Sequence, residues 1–135
     1  MRIRMGRRAA TVTTVGVLTL GAMGLATSGA YAAPGGVEAC PSNSVCLYYN
    51  SPNLGWGSFE NWSPGQSFNL AYYKFGHWGN GSGAGQSVLN NAASIVNNTG
   101  HTVYVRDSFG TTYSYGSGYA DSLGRAANHD SWLIT

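Results

Sequence analysis

The chain has 135 residues, 20 of them glycine, and only 9% of it is charged. Four of its seven basic residues, Arg2, Arg4, Arg7 and Arg8, lie in the first eight positions. The remainder therefore has no basic patch for nucleic acid and no basic amphipathic face for a membrane surface. Gly, Tyr, Trp, Ser and Asn are abundant while Lys, Glu and Leu are sparse, which argues for an all-β domain.

In chain order, the four arginines precede an apolar run from Ala9 to about Ala26, and Ala30-Tyr31-Ala32 follows with small residues at the two positions a signal peptidase reads. This pattern predicts a secretory signal over residues 1–32, cleaved after Ala32, and an extracellular destination. The mature chain, 33–135, is short enough for a single domain. It keeps Lys74, Arg106 and Arg125 against Glu38, Glu60, Asp107, Asp121 and Asp130, a formal net charge of −2. The basic balance belongs to the precursor alone. After cleavage no membrane contact is expected.

Cys40 and Cys46 are the only cysteines. An exported chain makes a disulfide the expectation, because the destination is oxidising. Two cysteines without a nearby histidine do not make a metal ligand set.

Two similar units follow, at about 45–97 and 101–135. The first reads as a strand over Val45–Tyr49, a Pro- and Gly-marked turn over Asn50–Gly57, and a second strand over Phe59–Trp62. Phe68, Tyr72, Tyr73, Phe75 and Trp78 then form a dense aromatic set. Gly79–Gly85 is too glycine-rich for a core and reads as a flexible surface loop. The second unit reads as a strand over Thr102–Arg106, a turn at Asp107–Gly110 and an alternating strand over Thr111–Tyr115. Gly116–Tyr119 and Asp121–Gly124 look loop-like, and Ser131–Ile134 is a closing strand.

Each unit ends in the same kind of stretch. Asn90-Asn91-Ala92-Ala93-Ser94-Ile95-Val96 aligns with Ala127-Asn128-His129-Asp130-Ser131-Trp132-Leu133. Small or polar residues come first and an apolar pair follows the serine. That order suits a polar loop turning directly into a buried strand. The repeat is the strongest organisational signal in the chain.

The residues do not assemble a catalytic site. No spacing among the five acids points to a carboxylate pair. No Gly-x-Ser-x-Gly elbow occurs and no cysteine is left free as a nucleophile. His77, His101 and His129 stand apart. The reading is a binding protein, with no catalytic residues and no required cofactor.

Partner contact is expected in the first unit. It carries roughly fifteen more residues than the second before its Asn/Ser stretch, at about Ser63–Gly85, and long surface insertions are where function tends to sit. Tyr73, Lys74, His77 and Trp78 are the candidates there. Asn53 and Trp56 are candidates on the Asn50–Gly57 turn. The aromatic set reads equally as a binding surface or as a layer between two sheets.

The spacing of Tyr104 to Phe109, and more loosely of Tyr49 to Leu54, resembles the βγ-crystallin Greek-key motif. Asn90–Ile95 resembles the calcium signature of that superfamily. Together with Cys46-Leu47-Tyr48-Tyr49-Asn50-Ser51 and Asn90–Gly100, the chain resembles the secreted Streptomyces-type metalloproteinase inhibitor family over nearly all of 37–135. The resemblance implies an all-β, βγ-crystallin-like β-sandwich of two Greek-key motifs, acting as a monomer that occludes an extracellular protease, a metalloprotease being the class the family suggests. It also implies a candidate calcium site using Ala92, Ser94, Arg106 and Asp107. Two further readings share the fold: a calcium-stabilised structural or cell-surface module, and a killer-toxin-like secreted protein. The sequence departs from the inhibitor family in having no second disulfide to stiffen a reactive loop.

Overall fold

The structure, a computed structural model, describes residues 38–135. The expected signal segment and its cleavage point lie outside the described residues. The described residues form eight strands: β1 (Val45–Tyr48), β2 (Phe59–Trp62), β3 (Ser67–Asn69), β4 (Ser94–Asn97), β5 (Val103–Asp107), β6 (Thr112–Tyr115), β7 (Ala120–Ser122) and β8 (Asp130–Ile134). The helical segments among the described residues are single 3-10 turns at Pro52–Leu54, Leu70–Tyr72 and Gly124–Ala126. The all-β expectation is met.

The strands make two antiparallel four-stranded sheets, ordered β2-β1-β4-β7 and β3-β8-β5-β6. Each unit builds three strands of one sheet and lends its third strand to the other. In both units the fourth strand returns to lie beside the first. Neither unit closes its own sheet, so the halves are interlocked by backbone hydrogen bonds as well as by side chains.

Val103, Val105 and Asp107 of β5 point inward while Tyr104 and Arg106 face solvent, the alternation of a half-buried strand. The core between the sheets joins Val45, Leu47 and Ile95 of the first to Val103, Val105 and Leu133 of the second. Strand β1 behaves differently, since all four of its residues are buried. Its outer side chains, Cys46 and Tyr48, lie in a second cluster with Cys40, Trp56, Phe59 and Val96. The first sheet is thus covered on both faces.

Cys40 and Cys46 form the expected disulfide, and it lies in this outer cluster. The sequence separation is six residues. Closing so short a loop contributes about 2 kcal/mol on the chain-entropy account. Reduction should lower stability by about that amount while the inter-sheet core still melts cooperatively, and a denaturant titration with and without reductant measures it. Loss of any cooperative transition on reduction would show that the outer cluster holds the whole fold.

Two expectations are corrected. Asp121-Ser122 is not loop but part of β7, pairing with β4 through Ile95↔Asp121 and Ser94↔Ser122. The segment from Ser63 to Gly85 is not wholly an insertion. It contains β3, which pairs with β8, and it supplies Leu70 and Phe75 to the core.

Candidate functional site

The turn after β1 is built by its residue types. Pro52 sits at the start of the 3-10 turn, and Gly55 ends it at φ 79°. Trp56 follows at φ 66°, with its ring turned inward against Tyr48, 5.1 Å between centroids at an interplanar angle of 70°. Trp56 is only 4% exposed. The expectation that it contacts a partner is therefore corrected: the left-handed backbone swings the ring into the outer cluster. Asn53 remains exposed, accepting the Ser51 hydroxyl, and Leu54 beside it is 64% exposed.

The second loop, residues 76–85, is closed at its base by Phe75. Phe75 N–H donates to Gln86 O at 3.0 Å, and Gly85 N–H donates to Phe75 O at 2.9 Å. This loop lies at the surface, as read for Gly79–Gly85, but it is fastened to the rest of the fold. Gly79 is buried, and a Cβ there would lie 2.1 Å from Gly57 O. A Cβ on Gly83 would lie 2.1 Å from the Tyr49 ring. The glycines are present because backbone packs directly on backbone and on an aromatic face.

The two loops form one crest. Asn50 Nδ2 donates to Ser82 Oγ at 3.0 Å and Asn80 Nδ2 donates to Gly55 O at 3.0 Å. Ser58 N–H donates to Ser82 O at 2.9 Å, and Ser58 Oγ donates to Trp78 O at 2.6 Å. His77 pairs with Phe59 of β2 through two backbone bonds of 2.9 and 3.0 Å. Its ring stacks on Phe59, 4.5 Å between centroids at 13°. Its Nδ1 lies 3.1 Å from Glu38 Oε2 and its Nε2 lies 4.0 Å from Glu60 Oε1. His77 is thus a fastening of the loop base, flanked by two carboxylates. The next residue, Trp78, is 64% exposed.

The aromatic set divides between its two readings. Phe75 is core. Tyr73 is half-buried, edge-on to Trp62 at 5.4 Å, so it flanks the core more than it faces a partner. Tyr72 is 83% exposed, and Lys74 is exposed. Of the sequence candidates, Asn53 lies on the first of the two cross-tied loops, and His77 and Trp78 lie on the second. The exposure of Leu54 was missed, although its place inside a Pro-Asn-Leu-Gly turn is a signal for it.

The oxygens of the four residues of the candidate calcium site take part in internal hydrogen bonds. The Ser94 hydroxyl donates to Asn50 O, and Ala92 O accepts the Asn128 N–H at 2.7 Å. The carbonyls of Arg106 and Asp107 both accept the Ser131 hydroxyl at 3.0 Å. Asp107 Oδ1 accepts from Phe109 N–H and Thr111 N–H at 2.9 and 2.8 Å. Each serine of the repeated stretch therefore ties the first turn of its own unit. These oxygens already serve as internal hydrogen-bond partners, which an ion bound there would have to share or displace. Among the described residues no group of three or more His, Cys, Asp or Glu is placed to hold a metal.

The protein is thus a small disulfide-bonded β-sandwich that presents apolar side chains on cross-tied loops. The family model of peptidase inhibitor family I36 matches residues 33–115, more than half of the chain, and the chain belongs to that family. The comparisons with curated proteins and with solved structures gave no match. Family membership makes a peptidase the partner class.

Proposed function

We propose that the protein is a secreted inhibitor that occludes an extracellular peptidase with the crest formed by Asn50–Gly57 and Gly76–Gly85. Trp78 and Leu54 supply the apolar contacts, and Asn53 and His77 border them. The observation that carries this reading is the pairing of two exposed large side chains with cross-tied backbone. A loop that is already ordered loses little conformational entropy on binding. Aromatic anchors surrounded by polar groups are the usual sites of concentrated binding energy. The hydrogen bonds from Asn50, Ser58 and Asn80 take the role that a second disulfide plays in the related inhibitors. The family resemblance favours a metalloprotease as the target, and the crest acts as a monomer's single contact surface.

The test is a panel of thermolysin-like, serine and cysteine proteases assayed with the purified mature chain. Sub-micromolar inhibition of one class is expected. Trp78→Ala should then weaken inhibition by at least about tenfold, equivalent to about 1.4 kcal/mol. Its melting temperature should change little, because the ring is mostly in solvent. Should Trp78→Ala melt much earlier and lose inhibition only in proportion, the ring would belong to the fold. The contact would then have to lie on the Leu54 side of the crest.

A further inference from the structure

Beside the crest lies a second feature with a different chemistry. A cleft of about 320 Å³ opens where the Asn50–Gly57 turn, both Asn/Ser stretches and β7 meet. Asn50, Ser51, Asn91, Ser122 and Asn128 supply its polar lining. Tyr49, Leu54, Ala93 and Ala127 supply its apolar lining. No Asp, Glu, Lys, Arg or His lines it.

Three properties of the ligand follow. The lining offers a charged ligand no counter-charge, which favours a neutral one. Amide and hydroxyl side chains each donate and accept, so the ligand edge carries both donors and acceptors. The volume lies at the lower end of small-molecule sites, which run from about 300 Å³, so the occupant is about one ring in size. Hydrogen-bonding capacity is left over for it. Asn50 and Asn91 spend their Nδ2 groups on Ser82 Oγ and Ser87 O. Among the described residues the Oδ1 atoms of both, the Tyr49 hydroxyl and the whole Asn128 amide bond to nothing. An amphipathic lining of this kind suits a ring with hydroxyls on its edge and C–H groups on its faces.

We propose that the cleft binds one neutral sugar ring, as a free monosaccharide or as the terminal unit of a neutral glycan. The assignment does not depend on protease inhibition. Asn50, Ser51 and Leu54 belong to both cleft and crest, which places the sugar beside the surface that meets a protein partner.

The experiment is an NMR titration of the labelled mature chain with glucose, galactose, mannose and N-acetylglucosamine, and with neutral oligosaccharides ending in each. At least one sugar should give a saturable shift of the Asn50, Asn91 and Asn128 side-chain amides. Asn128→Gly should weaken that binding at least tenfold with the melting temperature nearly unchanged. Asn128 has φ 60°, which glycine adopts without strain, and its backbone bond to Ala92 O survives the change. Tighter binding of the oligosaccharide identifies a glycan end, and equal affinity identifies a free sugar. Absence of a saturable shift with every sugar overturns the proposal. A response of the same amides to calcium chloride alone also overturns it, and makes the cleft a cation site.

Discussion

Replacing Gly79 with alanine should cost several kcal/mol and remove inhibition altogether. The added Cβ would sit 2.1 Å from Gly57 O, 2.9 Å from Gly57 C and 3.2 Å from Ser58 Cα. All three are backbone atoms, so no rotamer change relieves the overlap. Residue 79 also has φ 55°, a region in which a side chain adds strain of order 1 kcal/mol. Overpacking in a close-packed setting typically adds about 1–3 kcal/mol. The loop must therefore lift away from the Asn50–Gly57 turn. That movement strains the Ser58 Oγ to Trp78 O bond and the Asn80 to Gly55 bond together. Thermal melting and the protease assay check the two halves of the expectation. Gly85→Ala is the control, since a Cβ at that position meets nothing within 4 Å. Gly85 shares a positive φ of 78°, so the control isolates overlap from backbone strain. Equal effects of the two changes would refute the packing account of the crest.

This expectation bears on how much of the molecule is legible in its sequence. Strands with alternating or β-branched residues are legible: Thr102–Arg106 and Val45–Tyr49, read from composition, lie within one residue of β5 and β1 at each end, because their burial is encoded residue by residue. The repeated Asn/Ser stretch is legible too, since its serines make local ties to the turn of their own unit. Strands β3 and β7 are not. Ser67-Phe68-Asn69 and Ala120-Asp121-Ser122 are three residues each, and what makes them strands is pairing with β8 and β4. Long-range pairing leaves little trace in a short polar segment.

The candidate site shows the same division. Trp78 and His77 are visible as unusual residues beside glycines. The glycines themselves mislead, because a run such as Gly79–Gly85 can mean either mobility or close backbone approach. Sequence cannot separate those meanings, since the partner surfaces, Gly57 and Tyr49, lie more than twenty residues away. Trp56 fails for a related reason. Its direction depends on the left-handed run Gly55-Trp56-Gly57, and a tryptophan at φ 66° is not what propensity leads one to expect. Its burial completes the cover over Tyr48 and Phe59 that lets the first sheet be apolar on both faces.

The second large effect should come from Asp130, the first residue of β8. Its side chain is fully buried. Oδ1 accepts the Ala92 N–H at 3.0 Å, and its carbonyl accepts the Asn90 N–H at 2.8 Å. Asp130 thereby clasps the first Asn/Ser stretch from within the second. Oδ2 has no partner among the described residues. Burial pushes the carboxyl up to about 7 from an ordinary 3.8, outweighing the help from the Ala92 N–H. Its neighbours do not rescue the charge: Asp107 is its cross-strand partner and is itself acidic, and Tyr115 is a neutral phenol at this pH. The folded state therefore holds the proton more tightly than the unfolded chain. Below about pH 4 both states are protonated and the group is neutral to stability. Between about pH 4 and pH 7 stability falls as pH rises, and above that the full penalty applies, about 4 kcal/mol at 1.36 kcal/mol per pKa unit. Asp130→Asn keeps the acceptor for Ala92 and cannot ionise. At acid pH the two proteins should agree within about 1 kcal/mol, because a protonated carboxyl and an amide both leave buried donors unpaired. At alkaline pH the variant should be the more stable by up to about 4 kcal/mol. Denaturant unfolding across this range measures the difference. Parallel curves for the two proteins would mean that Asp130 keeps its charge in the folded state, with water or a cation reaching Oδ2.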